Sequence, residues 1–437
     1  MPVLLAAQVL FQGLASIPYA YTILKAAICL TILYYVKVFF GGAKTLSERV
    51  MHSKVVMVTG GTSGVGAAVV RDLASRGAQI VLLTQQPLTD PFLVDYIMDL
   101  RIRTGNELIT AEYMDLADLH SIRIFATKWI DNTPPRRLDM VILCGNTLTP
   151  GGSKIEATED GVEINWGVNY LANFQLLNIL SPALRAQPPD RDVRVIIGAC
   201  SSYMGGRLPG ISYDDKNTTA GEKGRESKDT SKPELSNAGA FYGTSKLALM
   251  TFACAYQKHL EDTPRPDKKP LNTRVLMVDP GWTRSPGMRR FLTRGTLWGL
   301  GLYLVTYPLW WLFLKSTEEG AQTFLHAAME AEYSLEKGGK LLKECREVPI
   351  ARPEVLDEEV QKALWKASKM TVQQLEKEAA SRRAKAKPSG NGKAAKPTLA
   401  KVEELPDDAP AEASSNTTRS STSAKKTGSR RSRKVAA

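Results

Sequence analysis

The sequence predicts an α/β fold, a doubly wound parallel sheet with helices on both faces, on three observations. A short apolar run from Lys54 to Thr59 enters a glycine-rich turn and then an amphipathic helix that ends at Gly77. Five further apolar runs of strand length follow, AQIVLLT, AEYM, LDMVILC, DVRVIIGA and TRVLMVD, with helical stretches among them. Last, Tyr242 and Lys246 stand four residues apart in AFYGTSKL, just inside a long helix. Residues at i and i+4 share one helical face, so phenol and ammonium can address one reacting centre. A free phenol titrates near ~10, and an ammonium beside it favours the phenolate and brings that value down.

Composition narrows the function. The chain has 437 residues and a formal charge of +12, enough length for one large domain with appendages. From Ser381 to Ala437 there are 14 Lys/Arg against 5 Asp/Glu, so the tail carries +9 of the +12. A nearly neutral folded part argues against a nucleic-acid-binding core. The cysteines, Cys29, Cys144, Cys200, Cys254 and Cys345, are scattered and form no C-x-x-C pair. With four His and no ligand-like cluster, neither a disulfide framework nor a metal site is expected.

In chain order, residues 1–42 read as a membrane anchor. Residues 3–24 carry no charge, and after Lys25 the apolar pattern resumes. That run is long enough to cross a hydrocarbon core of about 30 Å, and it lacks the basic start of a signal peptide. Pro18 makes a bent or hairpin insertion as credible as a straight span. Lys37, Lys44, Arg49 and Lys54 follow it, so the globular part is expected on the cytoplasmic side. That part, residues 50–378, opens with the turn T-G-x-x-x-G-x-G. Gly60 permits the tight turn, Gly64 lets backbone approach a pyrophosphate, and Gly66 lets helix and strand pack closely. The N–H groups around Ser63, Gly64 and Val65 then lie at a helix N-terminus, a natural anion site.

Between paired serines at 201–202 and Tyr242 lies a charged, Gly/Ser-rich stretch, residues 214–239, read as a surface excursion. Its Asn217-Thr218-Thr219 sequon would matter only in a lumenal compartment. Gly295 to Leu314 is twenty residues without charge, rich in Trp and bracketed by Arg294 and Lys315. An interface-docked element is favoured there over a buried core helix or a second span, because Pro308 and the Trp cluster suit it. Residues 380–437 are poor in apolar side chains and read as a disordered basic tail.

The glycine turn, Tyr242/Lys246, the serine pair before Gly205 and the D-P-G turn at 279–281 together resemble the short-chain dehydrogenase/reductase family. Fungal membrane- or lipid-droplet-associated members and retinol-dehydrogenase-like members are the most similar. The resemblance covers about residues 54 to 375 and implies a Rossmann-like sheet of about seven strands. It implies hydride transfer between a nicotinamide and a lipophilic alcohol, aldehyde or ketone, with Tyr242, Lys246, Ser202 and Asn169 as the catalytic set. Ser201 is a lesser candidate than Ser202, which alone fits S-x-x-G. Cofactor contacts carry over to Gly60, Ser63, Gly64, Val65, Gly66, Asp115 (adenine), Tyr242, Lys246 and Ser285. Gln85 and Gln86 end the second strand where a carboxylate would favour NAD, so NADP is preferred weakly over NAD. The family's N-N-A-G motif is replaced by Leu143-Cys144-Gly145-Asn146. That departure motivates a second reading, a catalytically weak relative that shapes or tethers a lipid surface. The expected partners are a lipophilic small molecule, a membrane or lipid-droplet surface (endoplasmic reticulum included) and a second copy in a homodimer.

Overall fold

A computed structural model of the chain describes residues 19–150, 155–209 and 238–386. The expectations about Pro18, the Asn217 sequon, nearly all of the charged excursion and the tail past residue 386 lie outside the described residues.

Among the described residues the first element is helix α1 (Ala20–Gly41), which precedes the sheet. The sheet then alternates with helices: β1 (Val55–Thr59), α2 (Gly64–Ser75), β2 (Gln79–Thr84), α3 (Pro91–Thr104), β3 (Ile109–Tyr113), α4 (Leu119–Ile130) and β4 (Met140–Leu143). A π-helical turn (Gly167–Leu171) leads into α5 (Ala172–Arg185), followed by β5 (Val193–Gly198) and a 3₁₀ turn (Ser201–Gly205). Next come α6 (Ala238–Asp262), β6 (Thr273–Asp279), α7 (Pro286–Thr293), α8 (Leu297–Val305), α9 (Tyr307–Phe313) and α10 (Thr317–Met329). The last elements are α11 (Glu332–Leu335), β7 (Lys340–Lys343), β8 (Arg346–Val348) and α12 (Glu358–Ala386). Helix α12 thus continues past the boundary near residue 380 that composition suggests.

Eight strands form one sheet in the order β3-β2-β1-β4-β5-β6-β7-β8. All neighbours are parallel except β8, which turns back antiparallel on β7. The sheet is therefore the doubly wound one expected, with one strand more than the seven anticipated. Strand side chains alternate between two apolar cores, as period-two geometry requires. Met57 and Val81 face the layer of α4, α5, α6 and α12, while Val56, Val58 and Leu82 face α2 and α10. Because both faces are covered there, the central strands β1 and β4 are buried at every residue, whereas the edge strands β3 and β8 carry exposed polar side chains. Strand order reverses between β1 and β4, and the crevice at their C-terminal ends is where such sheets bind ligands.

The uncharged stretch 295–314 forms two short helices, and Leu314 is the one buried residue in it. Thr306 ends α8 and begins α9, and Pro308 in the first turn of α9 prevents one continuous helix. Helices of 9 and 7 residues reach about 14 and 11 Å, too short for a bilayer core. Neither buries a residue: Leu297 is 87% exposed, Trp298 92% and Val305 80%. Among the described residues, one helix is long and apolar enough to cross a membrane, Tyr21–Gly41.

Candidate active site

The glycine turn is built by exclusion of side chains. Gly60 sits at φ +65°, and a Cβ there would come within 2.7 Å of Gly145 Cα. A Cβ on Gly66 would run into the Gly60 carbonyl oxygen, and Gly64 adopts φ +59°. Only glycine meets these demands without strain. Thr59 Oγ1 accepts a 3.1 Å bond from the Gly145 N–H, which ties β1 to the segment after β4. Ser63 precedes α2 in extended conformation and its side chain makes no cap bond, so the first N–H groups of a 12-residue helix stay open to an anion. Ser285 caps α7 by accepting from Met288 N–H at 3.3 Å, and its Cβ lies 3.5 Å from where a Cβ on Gly64 would stand. The structure thus brings Ser285 against the turn. Asp115 lies in the β3–α4 turn, where its carboxylate accepts from Ala117 N–H at 2.8 Å. Gln85 and Gln86 are exposed at the end of β2. This cradle, free of side chains and carrying uncapped helix N–H groups, fits a dinucleotide pyrophosphate.

On the other side of the crevice, α6 presents Tyr242 and Lys246. Gly206 and Gly243 let the 3₁₀ turn press directly on α6: a Cβ on Gly206 would be 2.5 Å from the Gly243 carbonyl, and one on Gly243 would be 2.9 Å from that of Ser202. Ser201 and Ser202 separate in this turn. Ser201 Oγ donates to Asp279 and accepts from Lys343 Nζ at 3.0 Å, so it is spent on structure. Ser202 Oγ is buried and has no partner in the protein. A buried hydroxyl left open costs free energy unless something else bonds it, which marks Ser202 as the serine held ready for a ligand.

Asn169 lies in the π-helical turn. Its side chain accepts from Thr147 N–H at 2.8 Å and donates to the Thr147 carbonyl at 2.9 Å and to Ser245 Oγ at 3.3 Å. It braces the chain after β4 against α6, and Asn173 donates to its main-chain carbonyl at 2.8 Å. The brace positions Asn146, whose Nδ2 donates to Tyr242 Oη at 3.3 Å. Sequence reasoning missed Asn146. It sits inside the segment read as a departure, and its contact with Tyr242 spans 96 residues, which no local pattern reveals.

Lys246 Nζ donates to the Gly198 carbonyl at 2.9 Å and lies 5.8 Å from the centre of the Tyr242 ring. Burial pushes the lysine down to about 8, against the opposing pull of Cys200, Cys144 and Asp279. Burial likewise pushes the Tyr242 phenol upward, with Cys200 and Asp279 adding to the rise and the Asn146 amide opposing it. The balance in this state runs opposite to the sequence expectation: desolvation, not the ammonium, dominates the phenol. Asp279, 5% exposed, was also not singled out; it holds Ser201 and the Gly281 N–H at 2.9 Å beside the pair.

This fold and this site define the class. The chain belongs to the short-chain dehydrogenase/reductase family and is an oxidoreductase. A family model described as short chain dehydrogenase matches residues 54–210. The uncharacterized oxidoreductase pbr1 of Schizosaccharomyces pombe is 44% identical over 354 residues, 81% of this chain and 90% of the relative. The uncharacterized oxidoreductase YNL181W of Saccharomyces cerevisiae is 35% identical over 88% of this chain and 95% of its own length. Human retinol dehydrogenase 13 is 29% identical over 75% of this chain and 87% of its own.

Proposed function

We propose that this protein moves hydride between a nicotinamide dinucleotide, NADP(H) by weak preference over NAD(H), and the carbonyl or alcohol carbon of a lipophilic substrate at a membrane surface. The observation that carries this reading is the buried, unpartnered Ser202 hydroxyl beside Tyr242 and Lys246, at the C-terminal ends of the strands, where the glycine turn also lies. The preference for NADP rests on Gln85 and Gln86, which offer a ribose phosphate no carboxylate to repel it.

When bound, the nicotinamide supplies or accepts the hydride at its C4. The Gly60–Gly66 turn and the N-terminus of α2 would hold the pyrophosphate, with Ser63, Val65, Asp115 and Ser285 assigned to the same cofactor site. Ser202 Oγ donates to the substrate oxygen as charge builds on it. In the reducing direction Tyr242 gives its phenolic proton to that oxygen, leaving a phenolate. Lys246 stabilises the phenolate, and its ammonium would bind the nicotinamide ribose. Asn169, whose main-chain carbonyl accepts from Asn173 at 2.8 Å, is assigned the relay water that returns the proton. Asn146 restores a polar contact to the phenol where the usual motif is missing, which favours an enzyme over a weak lipid-shaping relative.

The anchor α1 and the exposed helices α8 and α9, which we read as a lid over the substrate entrance, support action at a membrane or lipid-droplet surface, where a lipophilic substrate enters beneath them. The test is NADPH oxidation by purified full-length protein across a panel of lipophilic aldehydes and ketones. Tyr242→Phe should lower turnover by about 10²–10⁴-fold while leaving cofactor affinity intact. Equal rates for wild type and variant would end the enzyme reading.

A further inference from the structure

The anchor and the lid meet at one side chain. From Ala26 to Gly41, Lys37 is the single charge on α1. An ammonium on an otherwise apolar helix is expensive to leave against lipid, so its partners fix how the helix is turned. Lys37 Nζ donates to the Leu314 carbonyl at 3.3 Å, lies 3.6 Å from Glu319 and sits 5.5 Å from the Trp311 ring centre. Three residues on, Phe40 meets Phe313 edge-on at 5.1 Å. One ammonium therefore touches the end of α9 and the glutamate of the capping box that starts α10.

The next residue carries the contact inward. Lys315 N–H donates to the Trp282 carbonyl at 2.9 Å, and its own carbonyl accepts from Arg284 N–H at 2.9 Å. Its ammonium pairs with Glu344, whose carboxylate also accepts from Ala43 N–H at 3.0 Å just past the end of α1. Ser285, the residue after Arg284, lies against Gly64 of the glycine turn. The chain of contacts thus runs from the anchor through the lid's end to the cofactor crevice.

We propose that α1 is a strut of the lid, with Lys37 as a positioning residue that holds α9 and the strand end beyond it. This rests on the reading above that α8 and α9 cover the entrance for a lipophilic substrate. With α9 pinned to the anchor, α8 is the part left to move. It is flanked by Arg294 and Gly295, both at positive φ, and by the break at Thr306.

The experiment uses the full chain in phosphatidylcholine vesicles, comparing wild type with Lys37→Met and with Lys25→Met, an exposed lysine of the same helix. Hydrogen exchange of residues 307–314 should speed up at least tenfold in Lys37→Met and stay unchanged in Lys25→Met, while all three proteins sediment with the vesicles. Glu319→Gln keeps the capping box and removes the charge, so it should reproduce the Lys37→Met exchange from the other side. With a long-chain aldehyde, Lys37→Met should raise KM severalfold at unchanged kcat; a short, water-soluble aldehyde should show no change. Unchanged exchange in both Lys37→Met and Glu319→Gln, or an equal rise in Lys25→Met, overturns the strut. Faster exchange in a protein that turns over no aldehyde at all would uphold the strut and sink the enzyme reading instead.

Discussion

Lys246 serves two opposed demands. Catalysis asks for an ammonium near Tyr242, yet the side chain is 3% exposed and burial lowers it from 10.5 to about 8. Its folded value lies below its unfolded one, so at pH 7 both states are charged and the whole desolvation penalty falls on the folded state. Between about 8 and 10.5 the folded protein sheds this proton first, and stability rises with pH across that window. Lys246→Met should therefore stabilise the cofactor-free protein at pH 7 by about 1–3 kcal/mol, with the gain fading towards pH 10.5, and should abolish turnover. Calorimetric melting of both proteins at pH 7, 9 and 10.5 checks this; a less stable variant at pH 7 would show that the Gly198 bond outweighs burial. Residue by residue, the sequence made Tyr242, Lys246 and the serine pair visible through fixed spacings. It could not show Asn146 reaching the phenol, nor that Asp279 occupies Ser201 and leaves Ser202 free, because those contacts join strand ends far apart in the chain.

Elements were legible where local geometry leaves one solution. Strand, glycine turn and helix must follow each other at 54–77, since Gly60 and Gly66 pack where no Cβ fits. Gly66→Ala should accordingly weaken cofactor binding at least tenfold, measured by titration with NADPH, because the new methyl displaces the Gly60 carbonyl. Gly301→Ala, with nothing within 4 Å of the added carbon, should bind cofactor like wild type and serves as the control. A Gly66→Ala protein with full affinity would mean the turn can give way. The β7–β8 hairpin was not legible for the converse reason. Its turn uses Glu344 and Cys345, both at φ +53°, where glycine or asparagine would normally announce a tight hairpin. The stretch 295–314 was legible as apolar, but its length imitates a span; only the break at Thr306 and Pro308 converts it into two short helices.

Across residues 19–386, the exposed apolar surface of α1 and that of α8 and α9 belong to one assembly, joined through Phe40 and Phe313. Apolar side chains as open as Leu297, Trp298 and Val305 gain roughly 1.5–3 kcal/mol each on leaving water. A lid beside the C-terminal end of a span-length helix is placed where that helix would emerge from lipid, so it has an apolar phase within reach. Docking there would also shorten the path of a water-insoluble substrate, which could pass under α8 without crossing water. Trp298 reports on this directly, being the most exposed of the lid's large side chains. In vesicles with brominated acyl chains, the fluorescence difference between wild type and Trp298→Phe should be strongly quenched, and in detergent-free plain vesicles it should not. Replacing Leu297 and Val305 with Asp should remove that quenching while leaving the protein sedimenting with the vesicles, because α1 still holds it. If Trp298 is quenched equally with and without those aspartates, the lid is not docking through this face.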